Sequence, residues 1–213
     1  MEAKNLQELS RKEREKINRR NEILQAAKKV FASKDYASAT LEDIAAEAEL
    51  SKGTIYLYFN SKAELFLYIL EMGMEQMISI MLEAISANND DPIAGIKDMI
   101  QRQLLFCEEN IDLFKIISSE NAHTELHTEI EKYGDFEQRI AKTMSQSIKP
   151  LADYIQYGIN AGIFKKISPI DVAFALRAIV DGFAFRWIME PEEGKLSDKA
   201  EVISTIFLDG LKK

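Results

Sequence analysis

Apolar residues recur at steps of three and four along the first third of the chain, which is the period of one face of an α-helix. Over residues 12–34 these positions are Ile23, Leu24, Ala27, Val30 and Phe31. The pattern breaks at SKDYASAT, and a second stripe follows Thr40. Thr40 with Asp43, and then Ser51, are typical helix N-caps. The pattern therefore predicts helices over 12–34, 40–47 and 51–59, the last two joined by a three-residue turn.

The helical period continues through the rest of the chain. Ser61 and Glu64 form an S-x-x-E start for a helix that reaches about residue 86. Gly162 suits a helix C-cap, whereas Pro150 has no N–H to donate and is expected to kink or split its helix. Further helices are predicted over 92–107, 110–118, 122–147, 169–189 and 198–211. Since no convincing strand is present, we predict an all-α fold with a small N-terminal three-helix unit and a larger helical body.

Composition and charge narrow the class of protein. No apolar run reaches about 18 residues and the charged N-terminus has no signal core, so we expect no membrane association and a cytoplasmic location. The single cysteine, Cys107, fits a reducing compartment. The net charge is −8, yet residues 11–20 hold six basic residues against two acidic ones. This basic segment either extends the first helix or precedes it as an arm that enters a DNA minor groove, and a solvated tail is the alternative.

The predicted helix 51–59 has two different faces. Ile55 and Phe59 lie on one face and should be buried against the first two helices. The opposite face and its neighbours carry small, polar or basic residues: Lys52, Gly53, Thr54, Tyr56, Leu57, Tyr58 and, at the next helix start, Lys62. Such a face suits the DNA major groove, with hydroxyls and lysines placed for phosphates. The alternative is an ordinary surface of a helical bundle.

The stretch TLEDIAAEAELSKGTIYLYFNSKAEL resembles the DNA-binding domain of the tetracycline-repressor (TetR) family, through T-x-x-x-I-A, S-K-G-T-x-Y-x-x-F and S-K-x-x-L. The resemblance covers about residues 17–77, with the helix-turn-helix motif at 40–59. It implies a non-enzymatic homodimeric regulator without a cofactor, most simply a repressor of a palindromic operator that a small effector releases. Residues 78–213 would then form a C-terminal ligand-binding and dimerisation domain. By motif position the resemblance implies DNA contacts from Thr40, Ser51, Lys52, Gly53, Thr54, Tyr56, Tyr58 and Lys62.

Glu49 departs from the family pattern, which usually has glycine in this turn. A glutamate at positive φ costs about 1 kcal/mol, and its charge is expected to oppose a phosphate. A dimerisation module without DNA binding therefore stays open as an alternative.

Two C-terminal segments carry apolar or small residues at helical spacing. The resemblance places the dimer interface on them, whereas on pattern alone both stripes could be core. The positions concerned are Ala175, Ala178, Gly182, Val202, Ile203, Ile206 and Phe207.

Aromatic and methionine side chains crowd the helices that would wall a ligand cavity. They predict an apolar or amphipathic small-molecule effector, although plain core is the alternative at most positions. The candidates are Phe66, Tyr68, Met72, Phe106, Phe114, Met144, Tyr154, Tyr157, Phe174, Phe183 and Trp187.

His123 and His127 suggest a different class of protein. The spacing H-T-E-L-H puts both imidazoles on one helix face, which could hold Zn²⁺ or Ni²⁺, and Cys107 could add a nucleophile. The order differs from H-E-x-x-H, and no nucleophile–base spacing or phosphate loop supports an enzyme. We therefore predict no metal and no catalytic residue.

Overall fold

The computed structural model describes residues 10–117, 136–190 and 194–212. Within these ranges the chain is built from α-helices and contains no β-strand, apart from an isolated bridge between Phe164 and Lys212. The helices are α1 (Arg11–Ser38), α2 (Leu41–Glu47), α3 (Lys52–Tyr56), α4 (Lys62–Ala87), α5 (Pro92–Glu109), α6 (Ile111–Ile117), α7 (Phe136–Asn160), α8 (Pro169–Met189) and, after a 3-10 turn at Leu196–Lys199, α9 (Ala200–Leu211). The predicted all-α class is confirmed.

The described residues form two compact units, 10–70 and the residues from 71 onward. The division falls inside α4, which contributes residues to both units. The domain boundary predicted between 77 and 78 stays a prediction.

Helix α1 is longer than the pattern predicts at both ends. Ser10 and Glu13 form a reciprocal capping box, so the basic segment is the beginning of α1 itself. At the other end the helix continues to Ser38, and the predicted end at residue 34 is wrong. Burial of the Tyr36 ring explains the continuation, because its centroid lies 5.7 Å from that of Phe31 and 4.8 Å from that of Phe66. This packing outweighs the weak helix propensity of SKDYAS.

The core of the N-terminal unit lies beneath α3. Ile55 and Phe59 are 0% and 1% exposed, as the pattern predicts. Ile44 and Ala45 of α2 are buried as well, together with residues from α1 and α4: Ile23, Leu24, Ala27, Phe31, Leu65 and Ile69. Because α3 has only five residues, its position is set by this burial rather than by its own hydrogen bonds.

The C-terminal unit packs α5, α7, α8 and α9 around a second core. Pro150 was predicted to kink or split its helix. Helix α7 is continuous from Phe136 to Asn160 with Pro150 inside it, so the split does not occur. Residues on both sides of the proline, Ile148 and Leu151, are buried in this core and hold the helix together. Gly162 has φ 75°, and the chain turns there as predicted.

Helix α4 is long and strongly apolar. Among the described helices, α4 alone is long and apolar enough to cross a bilayer by composition, with a mean hydropathy of 1.4 over its most apolar window. A third of that window is buried inside the protein (33%), and core helices of soluble proteins pass the same test.

The turn between α2 and α3 is a Schellman motif with a glutamate in the position that usually holds glycine. The Glu49 N–H donates to the carbonyl of Ala46 at 3.1 Å, and the Leu50 N–H donates to the carbonyl of Ala45 at 2.8 Å. Glu49 has φ 56°, the one positive φ among the described non-glycine residues. The predicted strain at this residue is therefore present in the backbone.

Replacing Glu49 by glycine is expected to stabilise this turn by about 0.5–1 kcal/mol. Glycine adopts positive φ without a clashing Cβ atom, and the greater freedom of the unfolded chain offsets part of the gain. Amide hydrogen exchange of the full chain, followed on peptides from α2 and α3, should slow by about two- to five-fold. The control Glu49→Ala keeps the Cβ and should show no slowing, so equal slowing in both variants would contradict strain as the cause.

Candidate nucleic-acid interface

Two hydroxyl side chains fix where α2 and α3 begin. The Thr40 Oγ1 accepts from the Asp43 N–H at 3.1 Å, and the Asp43 carboxylate accepts in return from the Thr40 N–H at 3.1 Å. The Ser51 Oγ accepts from the Thr54 N–H at 3.1 Å and lies 2.9 Å from the Thr54 Oγ1. Both predicted caps are confirmed. These hydroxyls act first as structural caps that set the orientation of α3.

The outer face of α3 is open to solvent. Leu57 is 78% exposed and Tyr56 is 49% exposed, while Thr54 and Tyr58 are half-buried. A Cβ atom placed on Gly53 would meet nothing closer than the Ser51 Oγ at 3.7 Å, so internal packing does not require glycine there. We call Lys52, Gly53, Thr54, Tyr56 and Leu57 the outer surface of α3. Its bare backbone at Gly53 admits close approach by an external partner.

Lys52 is held by an acidic residue that the sequence analysis did not single out. Its ammonium forms an ion pair with the carboxylate of Glu42, in the first turn of α2, and lies 5.8 Å from the centre of the Tyr56 ring. The hydrogen bond from Lys52 lowers the pKa of Glu42, and the same bond raises the pKa of Lys52. Both groups are therefore charged at neutral pH. The only signal in the sequence was an acidic first turn in α2, which is also the ordinary preference of a helix N-terminus.

Lys62, predicted to contact DNA, has partners inside the N-terminal unit. Its Nζ donates to the carbonyl of Tyr36 at 2.7 Å and to that of Ala37 at 3.3 Å, and lies 4.3 Å from the centre of the Tyr36 ring. These carbonyls belong to the last turn of α1, where a cation is favourable. Lys62 thus ties the start of α4 to the end of α1.

Arg20 makes a second internal contact with the elements that support α3. Its guanidinium carbon lies 3.9 Å from the centre of the Tyr68 ring and 5.2 Å from that of Phe59. Tyr68 and Phe66 were both predicted to line a ligand cavity. The structure places them in the N-terminal unit, with Phe66 fully buried against Phe31 and Tyr36.

The remaining predicted ligand residues belong to the C-terminal unit. Phe106 and Phe114 form an edge-to-face pair with centroids 6.1 Å apart, and Phe114, Phe183 and Trp187 are half-buried against the core. Met72 is half-buried, whereas Tyr157 and Phe174 are exposed. The side chain of Met144 lies outside the described part of the structure.

Tyr154 has a structural role. Its hydroxyl lies 2.5 Å from the carbonyl oxygen of Asn88 and 3.0 Å from that of Asp91, in the turn between α4 and α5. A Cβ atom on Gly95 would meet this hydroxyl at 2.1 Å, so the close approach requires glycine. Burial raises the pKa of Tyr154 to about 12 and keeps the phenol protonated.

Of the seven residues predicted for the dimer interface, five are exposed and two are buried. Ala175, Ala178 and Gly182 of α8 are exposed. On α9 the exposed residues are Val202 and Ile206, whereas Ile203 and Phe207 lie in the core of the C-terminal unit. The reason is geometric, because neighbouring positions on a helix point about 100° apart.

The described residues give no support to a metal or catalytic centre. No group of three or more His, Cys, Asp or Glu residues that could hold a metal ion occurs among them, and His123 and His127 lie outside the described ranges. Burial raises the pKa of the Cys107 thiol to about 12, so it is not a thiolate at neutral pH. Two open clefts are lined mainly by polar residues, and neither contains a predicted ligand residue.

Comparison with known sequences places the N-terminal unit in one family. Residues 23–69 match the family model for bacterial regulatory proteins of the tetR family. The chain is 27% identical over 155 residues to the HTH-type transcriptional regulator YfiR of Bacillus subtilis, covering 73% of this chain and 72% of YfiR. It is 35% identical over 104 residues to the nucleoid occlusion factor SlmA of Vibrio cholerae, covering 48% and 53% respectively.

Solved structures extend the similarity of fold to most of the chain. FadR from Bacillus subtilis, solved in complex with stearoyl-CoA, superposes with a TM-score of 0.75 at 20% identity, covering 89% of this chain and 97% of FadR. The TetR family regulator PfmR from Thermus thermophilus gives 0.73 at 20% identity, covering 90% and 99%. With α3 packed and exposed as a helix-turn-helix requires, residues 23–69 match the tetR family of bacterial regulatory proteins, and the chain is similar to DNA-binding transcriptional regulators.

Proposed function

We propose that the chain is a ligand-responsive repressor, which binds a palindromic operator as a homodimer in the cytoplasm and is released by an apolar or amphipathic effector. The observation that carries the proposal is the outer surface of α3, which is exposed while Ile55 and Phe59 anchor the helix from behind. A cytoplasmic location follows from the need to reach the chromosome.

The DNA contacts come from α3 in the major groove. Leu57 is placed for a thymine methyl group and Thr54 for a base edge or phosphate. Gly53 allows the backbone to approach, and the hydroxyls of Tyr56 and Tyr58 reach phosphates on the groove walls. The caps Thr40 and Ser51 orient the N-termini of α2 and α3 towards the DNA phosphates. Lys62 holds the start of α4 beside these two helices.

A second copy of the chain is the partner that the exposed stripe on α8 fits. Ile170, Phe174, Phe185 and Met189 are all exposed and follow helical spacing, with Ala178 and Gly182 between them. Val202, Ile206 and Gly210 of α9 form a parallel stripe, and Cβ atoms on Gly182 or Gly210 would meet nothing within 4 Å. Two helices with small central residues pair well with their two-fold mates in a four-helix bundle. A dimer also supplies two copies of α3, which half-sites about 34–36 Å apart require.

The effector site is assigned to the half-buried aromatic residues Phe114, Phe183 and Trp187 of the C-terminal unit, together with Phe106, whose buried ring packs edge-to-face on Phe114. Flat apolar side chains that are neither fully packed nor fully exposed suit an apolar ligand. Two similar proteins respond to or bind small apolar or amphipathic molecules, which supports an effector of this kind. They are FadR, solved with stearoyl-CoA, and a nicotine-responsive repressor of Paenarthrobacter nicotinovorans. Helix α4 is continuous and contributes residues to both units, which supports it as the element that ligand displaces.

Selection of DNA from a random pool by the full chain is expected to recover a palindrome with half-sites one helical turn apart. Tyr56→Phe should then weaken binding to the selected operator by about 30-fold, because each of the two half-sites loses one hydrogen bond of about 1 kcal/mol. Fluorescence anisotropy measures both affinities. The matched control Tyr157→Phe removes an exposed hydroxyl from the C-terminal unit and should change nothing. Recovery of no sequence would refute the proposed function, and equal effects of both substitutions would refute the role of Tyr56.

Ile206→Glu is expected to convert the dimer to a monomer, because it places a charge in the apolar stripe of α9. Sedimentation velocity at micromolar concentration should show the change in mass, with operator affinity falling more than ten-fold. Leu82→Glu offers a matched control, since Leu82 is also an exposed apolar residue but lies on α4. A dimer that persists in Ile206→Glu would place the interface elsewhere.

Stearoyl-CoA is a suitable first probe of the effector site. Trp187 is the single tryptophan of the chain, so its emission should change saturably as the probe binds beside it, and the operator should be released. Coenzyme A without the acyl chain should do neither. Phe114→Ala should weaken both the change in Trp187 emission and the release of the operator. Equal changes in this variant and in the unaltered chain would show that Phe114 does not line the site.

A further inference from the structure

We propose that Glu42 is a specificity-determining residue, which withholds Lys52 from DNA phosphates and accepts a hydrogen bond from the amino group of a cytosine in the operator. The inference rests on the proposed DNA-binding mode, and it adds a residue that the family motif does not mark.

The geometry places a carboxylate at the edge of the outer surface of α3. Glu42 lies in the first turn of α2 and Lys52 in the first turn of α3, and their side chains meet in an ion pair. Both side chains keep much of their surface exposed, 60% for Glu42 and 45% for Lys52. The Tyr56 ring flanks the same ammonium at 5.8 Å. A duplex that meets Lys52 and Tyr56 therefore also meets Glu42.

This pair penalises binding to an arbitrary sequence. Non-specific binding comes almost entirely from cations that neutralise phosphates. To use Lys52 in this way, DNA must separate it from Glu42 and then leave the carboxylate unpaired beside a polyanion. The cost falls on every sequence that offers Glu42 no hydrogen-bond donor.

An operator avoids the cost of an unpaired Glu42 carboxylate if one base pair in each half-site offers it a hydrogen-bond donor. A carboxylate accepts from the N4 amino group of cytosine, which the major groove exposes, whereas the O6 and N7 atoms of guanine are acceptors and repel it. The hydrogen bond from Lys52 keeps Glu42 ionised, as its lowered pKa indicates. Discrimination through a repulsive group is a general route to specificity.

The test compares Glu42→Gln with the unaltered full chain on the selected operator and on a scrambled duplex of equal length. The variant frees Lys52 of each protomer for a phosphate, so affinity for the scrambled duplex should rise by about three- to ten-fold and its salt slope should steepen by about 1.8. Operator affinity should not rise as much, so the specificity ratio falls. A second selection with the variant should lose a cytosine preference at one position of each half-site.

Two further variants separate this role from a general change of charge. In Glu42→Gln with Lys52→Ala, the gain on scrambled DNA should disappear, because the freed lysine is absent. Glu47→Gln is the matched control, since Glu47 also lies on α2 and pairs with Lys29 at 3.0 Å. It removes the same charge and should leave the selected sequence and the salt slope unchanged.

Several results would overturn the proposal. A gain that persists without Lys52, an equal gain in Glu47→Gln, or an unchanged sequence preference in Glu42→Gln would each do so. If the unaltered chain selects no sequence, the proposed function fails. The scrambled-duplex measurements still decide whether Glu42 competes for Lys52.

Discussion

A helix of five residues cannot hold itself together in water, so the outer surface of α3 depends on the two side chains beneath it. Ile55 and Phe59 are fully buried, and burying side chains of this size is worth about 1.5–3 kcal/mol each. The caps at Thr40 and Ser51 and the turn at Glu49 set the direction in which α3 leaves α2. Anchored in this way, a short element can present side chains with the precision that base recognition requires.

Three cations of the N-terminal unit serve three different purposes. Arg20 stacks on Tyr68 and Phe59, Lys62 binds carbonyls in the last turn of α1, and Lys52 is paired with Glu42 on the surface. Arg20 and Lys62 stabilise the helices that pack against α3. Lys52 lies on the surface that DNA would approach. Each of these three cations therefore already has a partner within the protein.

Sequence periodicity correctly predicted the features that depend only on neighbouring residues in the chain. The caps at Thr40 and Ser51, the burial of Ile55 and Phe59 and the turn at Gly162 all follow from residue type and spacing. The length of α1 and the continuity of α7 through Pro150 do not, because buried neighbours such as Tyr36 and Leu151 override local propensity. The Glu42–Lys52 pair joins residues of two helices, and no periodic signal marks it. In α9, Ile206 is exposed and Ile203 is buried, although both belong to the predicted apolar stripe. Residue type alone does not separate interface positions from core positions there.

An acidic protein that binds DNA has to rely on where its charges lie rather than on their sum. A net charge of −8 opposes long-range attraction of the whole chain to the duplex, and the acidic Glu42 and Glu49 lie close to α3 in the chain. Such a protein gains little from non-specific contact, so its affinity must come from close contacts that only one sequence satisfies. The paired Lys52 fits this requirement, because its ammonium must leave Glu42 before it can neutralise a phosphate. Weak attraction to DNA in general then leaves more of the protein free to bind a specific site.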